Sequence, residues 1–374
     1  MAGIYIHIPF CKKACHYCNF HFSTSQNLVS KMIEAICVEA ELRNGYVQED
    51  IATVYFGGGT PSLITIEDLR FTIEKLNSLF RITGDAEITL EANPDDISEE
   101  KLQGWRSLGI NRLSIGVQSF FDEDLEWMNR AHNALQAKHS MEMSKQAGFE
   151  NITIDLIYGL PGLTDERWKQ NLCTAFEFDI PHLSCYALTV EPNTALKKLI
   201  ELNKKDNIHA EKQARHFELL MQLAEAAGYE HYEISNFAKP SFRSRHNSSY
   251  WQGRCYIGLG PSAHSYNGSS RQWNISNNAL YIDSISKKIL PLEQETLTQT
   301  QRVNEYIMTG LRTSEGISLK TLQQLSDETT AVHILRDAQK FVQQKLLGVK
   351  DDSLFLTREG KLFADGIASD LFRL

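Results

Sequence analysis

The sequence predicts an α/β fold built on a parallel sheet, and three observations carry that prediction. Six short β-rich runs recur along the chain, amphipathic stretches of helical period separate them, and each run is near-continuously apolar, as strands covered on both faces are. Such an order calls for helical crossovers and leaves two closures open, an open sheet or a barrel.

The elements follow in order. "GIYIHI" from Gly3 is the first strand, and "VSKMIEAICVEAELRN" the helix after it. "ATVYF" from Ala52 comes next, with a helix start at Thr65, three residues before Asp68. "EITLEA" from Glu87 precedes a start at Ser98, where two glutamates follow. "RLSIGV" from Arg112 leads into one amphipathic stretch from Leu125 to Gln146. "NITIDLIY" from Asn151, a helix start at Thr164 and "HLSCYAL" from His182 complete the set.

Composition limits function. The chain has 374 residues, about two domains' worth, with 42% apolar and 23% charged residues. Its 38 basic and 47 acidic side chains give a net charge of −9, spread along the chain, which disfavours a general binder of nucleic acid or anionic membrane. No apolar run approaches the roughly 18 residues of a membrane span, and "MAGIYIHIPF" lacks a basic leader, so the expected location is the cytoplasm. There, clustered thiols bind metal more often than they pair as disulfides.

Polar residues gather where the strands end. Cys11 follows the first strand, "GGGTPS" (57–62) the second, Glu91 ends the third and Gln118 the fourth, while Asp155 and Tyr186 lie in the fifth and sixth. Ligands of parallel α/β folds bind at the carboxyl ends of the strands, so these residues converge on one rim. Three cysteines in "CKKACHYC", Cys11, Cys15 and Cys18, can hold three irons of a cubane cluster and leave the fourth iron open. The rival is a structural zinc completed by His21. Cys37, Cys173 and Cys185 read as packed small hydrophobes.

"YIHIPFCKKACHYCNF", "VYFGGGTPS", "LEANPDD", "IGVQSF", "MNRAH" and "IDLIYGLPG", in this order, resemble the radical S-adenosylmethionine superfamily, in its coproporphyrinogen III oxidase-like branch. The resemblance implies a partial (β/α)6 barrel over residues 1–235 and a 4Fe-4S cluster on Cys11, Cys15 and Cys18, whose open iron takes S-adenosylmethionine. It also implies contacts to that cofactor from Tyr5, Gly58, Gly59, Thr60, Glu91, Gln118, Arg130, Asp155, Ala187 and His264. Phe20 stands where the oxidases carry a fourth cysteine, and only ten residues precede Cys11, where they have a long extension. Both departures match the HemW group of heme chaperones.

"HNSSYW" (246–251) matches that group's HNxxYW signature and implies heme binding by His246, Tyr250 and Trp251. Imidazole is a common axial ligand and flat aromatics suit a macrocycle, while Arg243 and Arg245 are nearby cations for propionates. Residues 236–296, with this motif and "GPSAHSY", are expected to connect and pack on the barrel. Residues 297–374 read as a winged-helix-like α+β domain whose ten basic and ten acidic side chains form no stripe for phosphates, hence a cover for the barrel mouth or a docking surface. The expected protein binds heme, cluster and S-adenosylmethionine and passes heme to an acceptor protein. The alternatives are oxygen-independent coproporphyrinogen III dehydrogenation and a zinc-stabilised binding module.

Overall fold

The computed structural model describes residues 1–373. All six expected strands form: β1 (Ala2–Ile8), β2 (Ile51–Gly58), β3 (Ile82–Ala92), β4 (Arg112–Gln118), β5 (Asn151–Tyr158) and β6 (His182–Ala187). They lie side by side in chain order, each pair parallel. β3 starts upstream of its apolar run because Ile82 pairs with Ile51 across a register shift. Helices cover the sheet, and Thr65, Ser98 and Thr164 each cap one by accepting the backbone N–H three residues on.

One expected helix is two. The stretch from Leu125 to Gln146 divides into Asp122–Met128 and Ala134–Gln146, because Asn129 takes a left-handed conformation (φ 61°) and Asn133 with Gln136 forms a capping box that starts the second helix. Arg130 stands in the break.

Residues 236–296 extend the barrel's sheet at both edges and lay helices against it. After β7 (Glu230–Glu233), β8 (Asn236–Ala238) pairs antiparallel with β6. The chain then crosses to the far edge, where β9 (Tyr256–Leu259) pairs parallel with β1 and is followed by β10 (His264–Tyr266), β11 (Ser270–Asn274) and β12 (Leu292–Thr296). The sheet therefore has twelve strands. The crossing is made by the helix Arg245–Trp251, whose start lies against β1, β2 and β3: the Glu87 carboxylate accepts from the backbone N–H groups of Arg245 (3.0 Å) and His246 (2.9 Å), and Ser244 caps Asn247.

The C-terminal part has its own core, including Val303, Ile307, Leu311, Ile334 and Leu354. Its order is helix (Gln299–Arg312), strand β13 (Ile317–Ser318), short helix (Leu319–Leu325), helix (Glu328–Gln343), strands β14 (Leu347–Lys350) and β15 (Ser353–Leu356), then a last helix (Ala364–Asp370). The three strands make a separate antiparallel sheet. Arg312 joins this part to the rest through Glu233 (2.9 Å). Among the described residues no helix is long and apolar enough to cross a membrane.

The added edge is locked by a buried charge network. Glu39 accepts from Arg43 (2.8 Å), Gly260 N–H (2.8 Å), Asn274 (2.8 Å) and Tyr281 (2.5 Å), while Arg43 also donates to Gly258 O, Ser265 and Gln272. Every lone pair is used. Glu39→Ala strands a buried guanidinium and is expected to cost about 3–5 kcal/mol, read as a loss of urea stability, whereas exposed Glu41→Ala should cost under about 1 kcal/mol.

Candidate cluster, cofactor and ligand site

The cysteine loop leaves the end of β1 and is pinched shut at its base, where Cys11 N–H donates to Ser23 O (3.0 Å) and Ser23 N–H to Pro9 O (2.9 Å). It rests on the helix break: Asn129 donates to Ala14 O (2.7 Å), Lys13 to Arg130 O (3.1 Å) and His16 N–H to Met128 O (3.1 Å). The three thiols are half-buried. Burial first, then the nearness of Cys18 and Cys15, pushes the Cys11 thiol up to about 11, and burial raises Cys18 as well.

A cubane and a lone zinc ask different things of such a loop. Zinc needs four donors converging on one point, and among the described residues no three His, Cys, Asp or Glu side chains converge so. His21 is turned away, with Nε2 on Asn278 Oδ1 (2.7 Å). A cubane takes one thiolate per iron, spread over its corners, which three thiols in one tight loop fit.

Arg130 holds this arrangement. It donates through Nη1 to Cys15 Sγ (3.3 Å) and Tyr17 OH (3.5 Å), and through Nη2 to Asn93 Oδ1 (2.6 Å) and Gly116 O (2.8 Å). Its terminal nitrogens thus face protein, and its buried Nε has no partner among the described residues. Thr60 donates to Cys11 Sγ (3.5 Å) and accepts from Asn93 Nδ2 (3.2 Å). Gly59 admits the loop: a β-carbon there would lie 2.6 Å from Phe10 O. Gly58 has φ 110° and leaves room for the His7 ring, which a β-carbon would meet at 2.6 Å.

His7 escaped the sequence reading, although its place two residues after Tyr5 in an apolar strand puts both on one face. Its Nε2 faces His21 O (2.9 Å), which can only accept, so Nε2 carries the proton and Nδ1 accepts from Tyr5 OH (3.0 Å). Burial holds the ring neutral, its pKa lowered to about 4. The Tyr5 hydroxyl, having donated, keeps its own lone pairs.

Most of the remaining expected residues line one of two spaces, and Gln118 and Ala187 line neither. Glu91 and Asp155 line a chamber of about 50 Å³ together with Arg112, Tyr186 and Asn247. Glu91 accepts from Tyr55 OH (2.8 Å) and Gly58 N–H (3.2 Å), and burial raises its pKa. Burial and then the Glu91 charge push Asp155 up to about 7. Gln118, at φ 66°, and Ala187 end β4 and β6. Tyr5 and His264 face instead a cavity of about 820 Å³ with Phe20, Tyr250, Trp251 and Tyr256 in its wall.

His246 is buried, stacks on Tyr55 at 4.9 Å, and has both ring nitrogens engaged with protein, Nδ1 with Thr53 Oγ1 (2.8 Å) and Nε2 with Tyr250 OH (2.8 Å). Arg243 is tied to Glu230 and Glu315, and Arg245 to Asp85, away from the cavity. Cys173 is exposed rather than packed.

Two outcomes follow from these positions. Cys15→Ala should lose the iron and sulfide of anaerobically reconstituted protein and its broad visible absorbance, while Cys173→Ala should keep both. Folded Asp155 holds a proton from pH 4 to 7 that the unfolded chain releases, so it lowers the stability of cofactor-free protein as pH rises through that window. Asp155→Asn should therefore raise the melting temperature at pH 8 and change it little at pH 4.

Comparison with known proteins bears on the fold and the family. The Radical SAM superfamily model matches residues 5–172, and the HemN C-terminal domain model residues 297–363. The solved coproporphyrinogen III oxidase (HemN) from Escherichia coli superposes with a TM-score of 0.85 over 99% of this chain and 90% of its own, at 22% identity, a likeness of fold. The heme chaperone HemW of Mycobacterium tuberculosis is 32% identical over 99% of this chain and 94% of its own. That of Bacillus subtilis is 36% identical over 98% of both. Similarity of that extent, over a radical S-adenosylmethionine fold with three loop cysteines and Phe20 in place of a fourth, shows that the chain belongs to the HemW family.

Proposed function

We propose that the protein binds heme in the 820 Å³ cavity, holds a 4Fe-4S cluster and S-adenosylmethionine at the adjoining strand ends, and passes heme to an acceptor protein. The observation that carries this reading is the cavity: it adjoins the cysteine loop, its wall is aromatic, and it contains an imidazole with no hydrogen-bond partner among the described residues, His264. Burial and then Arg271 lower the pKa of His264, so the ring is neutral and a lone pair is free for iron at pH 7. A bound cluster would supply one-electron reducing power and an open iron for the amino-acid end of S-adenosylmethionine. The chain's own part is to orient these groups: Tyr5 offers an acceptor to the ammonium, Thr60 and Arg130 direct donors at the thiols, and Glu91 offers an acceptor to ribose hydroxyls.

The name borne by the relatives supports heme as cargo, and the Phe20 side chain, two-thirds exposed in the cavity wall, supports an apolar ligand over thiol chemistry there. Titration of the reconstituted protein with heme tests the reading. His264→Ala should shift the Soret band and weaken heme binding about tenfold or more with the cluster intact, whereas His246→Ala should keep the wild-type band position and lower stability by about 2–4 kcal/mol. A wild-type spectrum and affinity in His264→Ala would remove the axial assignment. Conversion of coproporphyrinogen to vinyl products, followed by mass spectrometry, would replace the chaperone reading with the oxidative one.

A further inference from the structure

The cavity wall carries two cations without a protein partner. Arg254 follows the helix Arg245–Trp251, and Arg302 lies near the start of the helix Gln299–Arg312; both are exposed, and neither guanidinium makes a hydrogen bond or ion pair among the described residues. Their neighbours differ in this respect. Arg271 is held by Glu305 (2.9 Å), and Arg243, Arg245 and Arg312 are all paired. Arg302, Glu305, Tyr306 and Thr309 recur at helical spacing, so one face of that helix forms the wall supplied by the C-terminal part. The wall thus combines aromatic side chains with two exposed, unpartnered guanidinium groups.

We infer that Arg254 and Arg302 form a two-sided clamp for a dicarboxylate edge, one cation from the core and one from the C-terminal part, so that the cavity selects tetrapyrroles bearing free propionates and the bound ligand ties the two parts together. The inference rests on the proposed heme reading and deepens it. Guanidinium suits the role because it is always charged and its donors match a carboxylate fork. Freedom from other partners means that no ion pair must break before the ligand is gripped. The Arg271–Glu305 pair already spans the same two parts, so the ligand would add a second tie beside it.

Full-length protein is titrated with iron protoporphyrin IX and with its dimethyl ester, which keeps iron and macrocycle but lacks both charges. The diacid is expected to bind about tenfold or more tightly than the ester, as loss of charge-assisted hydrogen bonds predicts. Arg254→Ala and Arg302→Ala should each narrow that gap by weakening diacid binding alone, and the double variant should close it. Hydrogen exchange over residues 299–312 should slow with the diacid and not with the ester. Equal affinity of the wild-type protein for both ligands, or variants that keep the full preference, would overturn the clamp while leaving heme binding in place. Failure of both ligands to shift the Soret band would instead remove the heme reading and the clamp with it.

Discussion

A buried guanidinium beside three thiols is the constraint on which the site depends. Burial works against the charge of Arg130, yet Tyr17 and Cys15 beside it keep the group firmly protonated. A buried cation is costly unless its surroundings compensate it. Here the compensation comes from neutral acceptors on two strand ends, Asn93 after β3 and Gly116 in β4, and from sulfur in the loop. One side chain thus fixes the loop against the sheet, and its charge stands ready for an anionic group on the thiols. The break at Asn129 permits this placement: a continuous helix from Leu125 to Gln146 would carry residue 130 along its cylinder, with no turn to bring it to the loop.

The second constraint is closure of the sheet. Six parallel strands leave two open edges and an uncovered end, and a row of unpaired backbone groups at an edge invites pairing with another chain. Residues 236–296 answer all three needs. β8 covers β6, β9 covers β1, and the helix between them plugs the end with His246, fixed by Glu87 below its backbone and by Thr53, Tyr55 and Tyr250 around its ring. The histidine of the HNxxYW motif is accordingly a keystone of the fold, and its placement brings Tyr250 and Trp251 to the cavity wall. Motif membership and ligand contact are separable: the same six residues supply a plug at one end and a wall at the other.

How much of this was legible follows from the range of the interactions. The six strands and three caps are local, written in apolar runs and in Ser or Thr three residues ahead of a free N–H, and they formed where expected. The cysteine loop was legible because its spacing is local too. The division at Asn129 was present in the sequence as Asn133 and Gln136, a capping box that the continuous helical period concealed. What could not be read was set by pairing across the chain. β9 meets β1 some 250 residues away in sequence, Arg43 meets Gln272, and His246 meets Thr53, and no window of periodicity contains both partners. The surroundings of His246 were hidden for that reason: imidazole followed by aromatics reads as a ligand site, and Thr53 and Tyr55 reach its ring from a distant strand.

The cavity gives the last step. Singly exposed aromatics are ordinary, but Phe20, Tyr250, Trp251, Tyr256, Tyr266 and Tyr306 face one space from the cysteine loop, the edge sheet and the C-terminal helix. Apolar surface brought together from three separate parts of a chain and left uncovered favours a ligand that covers it, because each part alone would be stabilised by folding onto its own core. Phe20 makes the point most plainly. A thiol at that position would be a small, reactive neighbour of the cluster loop; phenylalanine offers only surface, two-thirds of it exposed. Its exposed ring adds apolar surface to the cavity wall, where Arg254 and Arg302 stand as unpartnered cations.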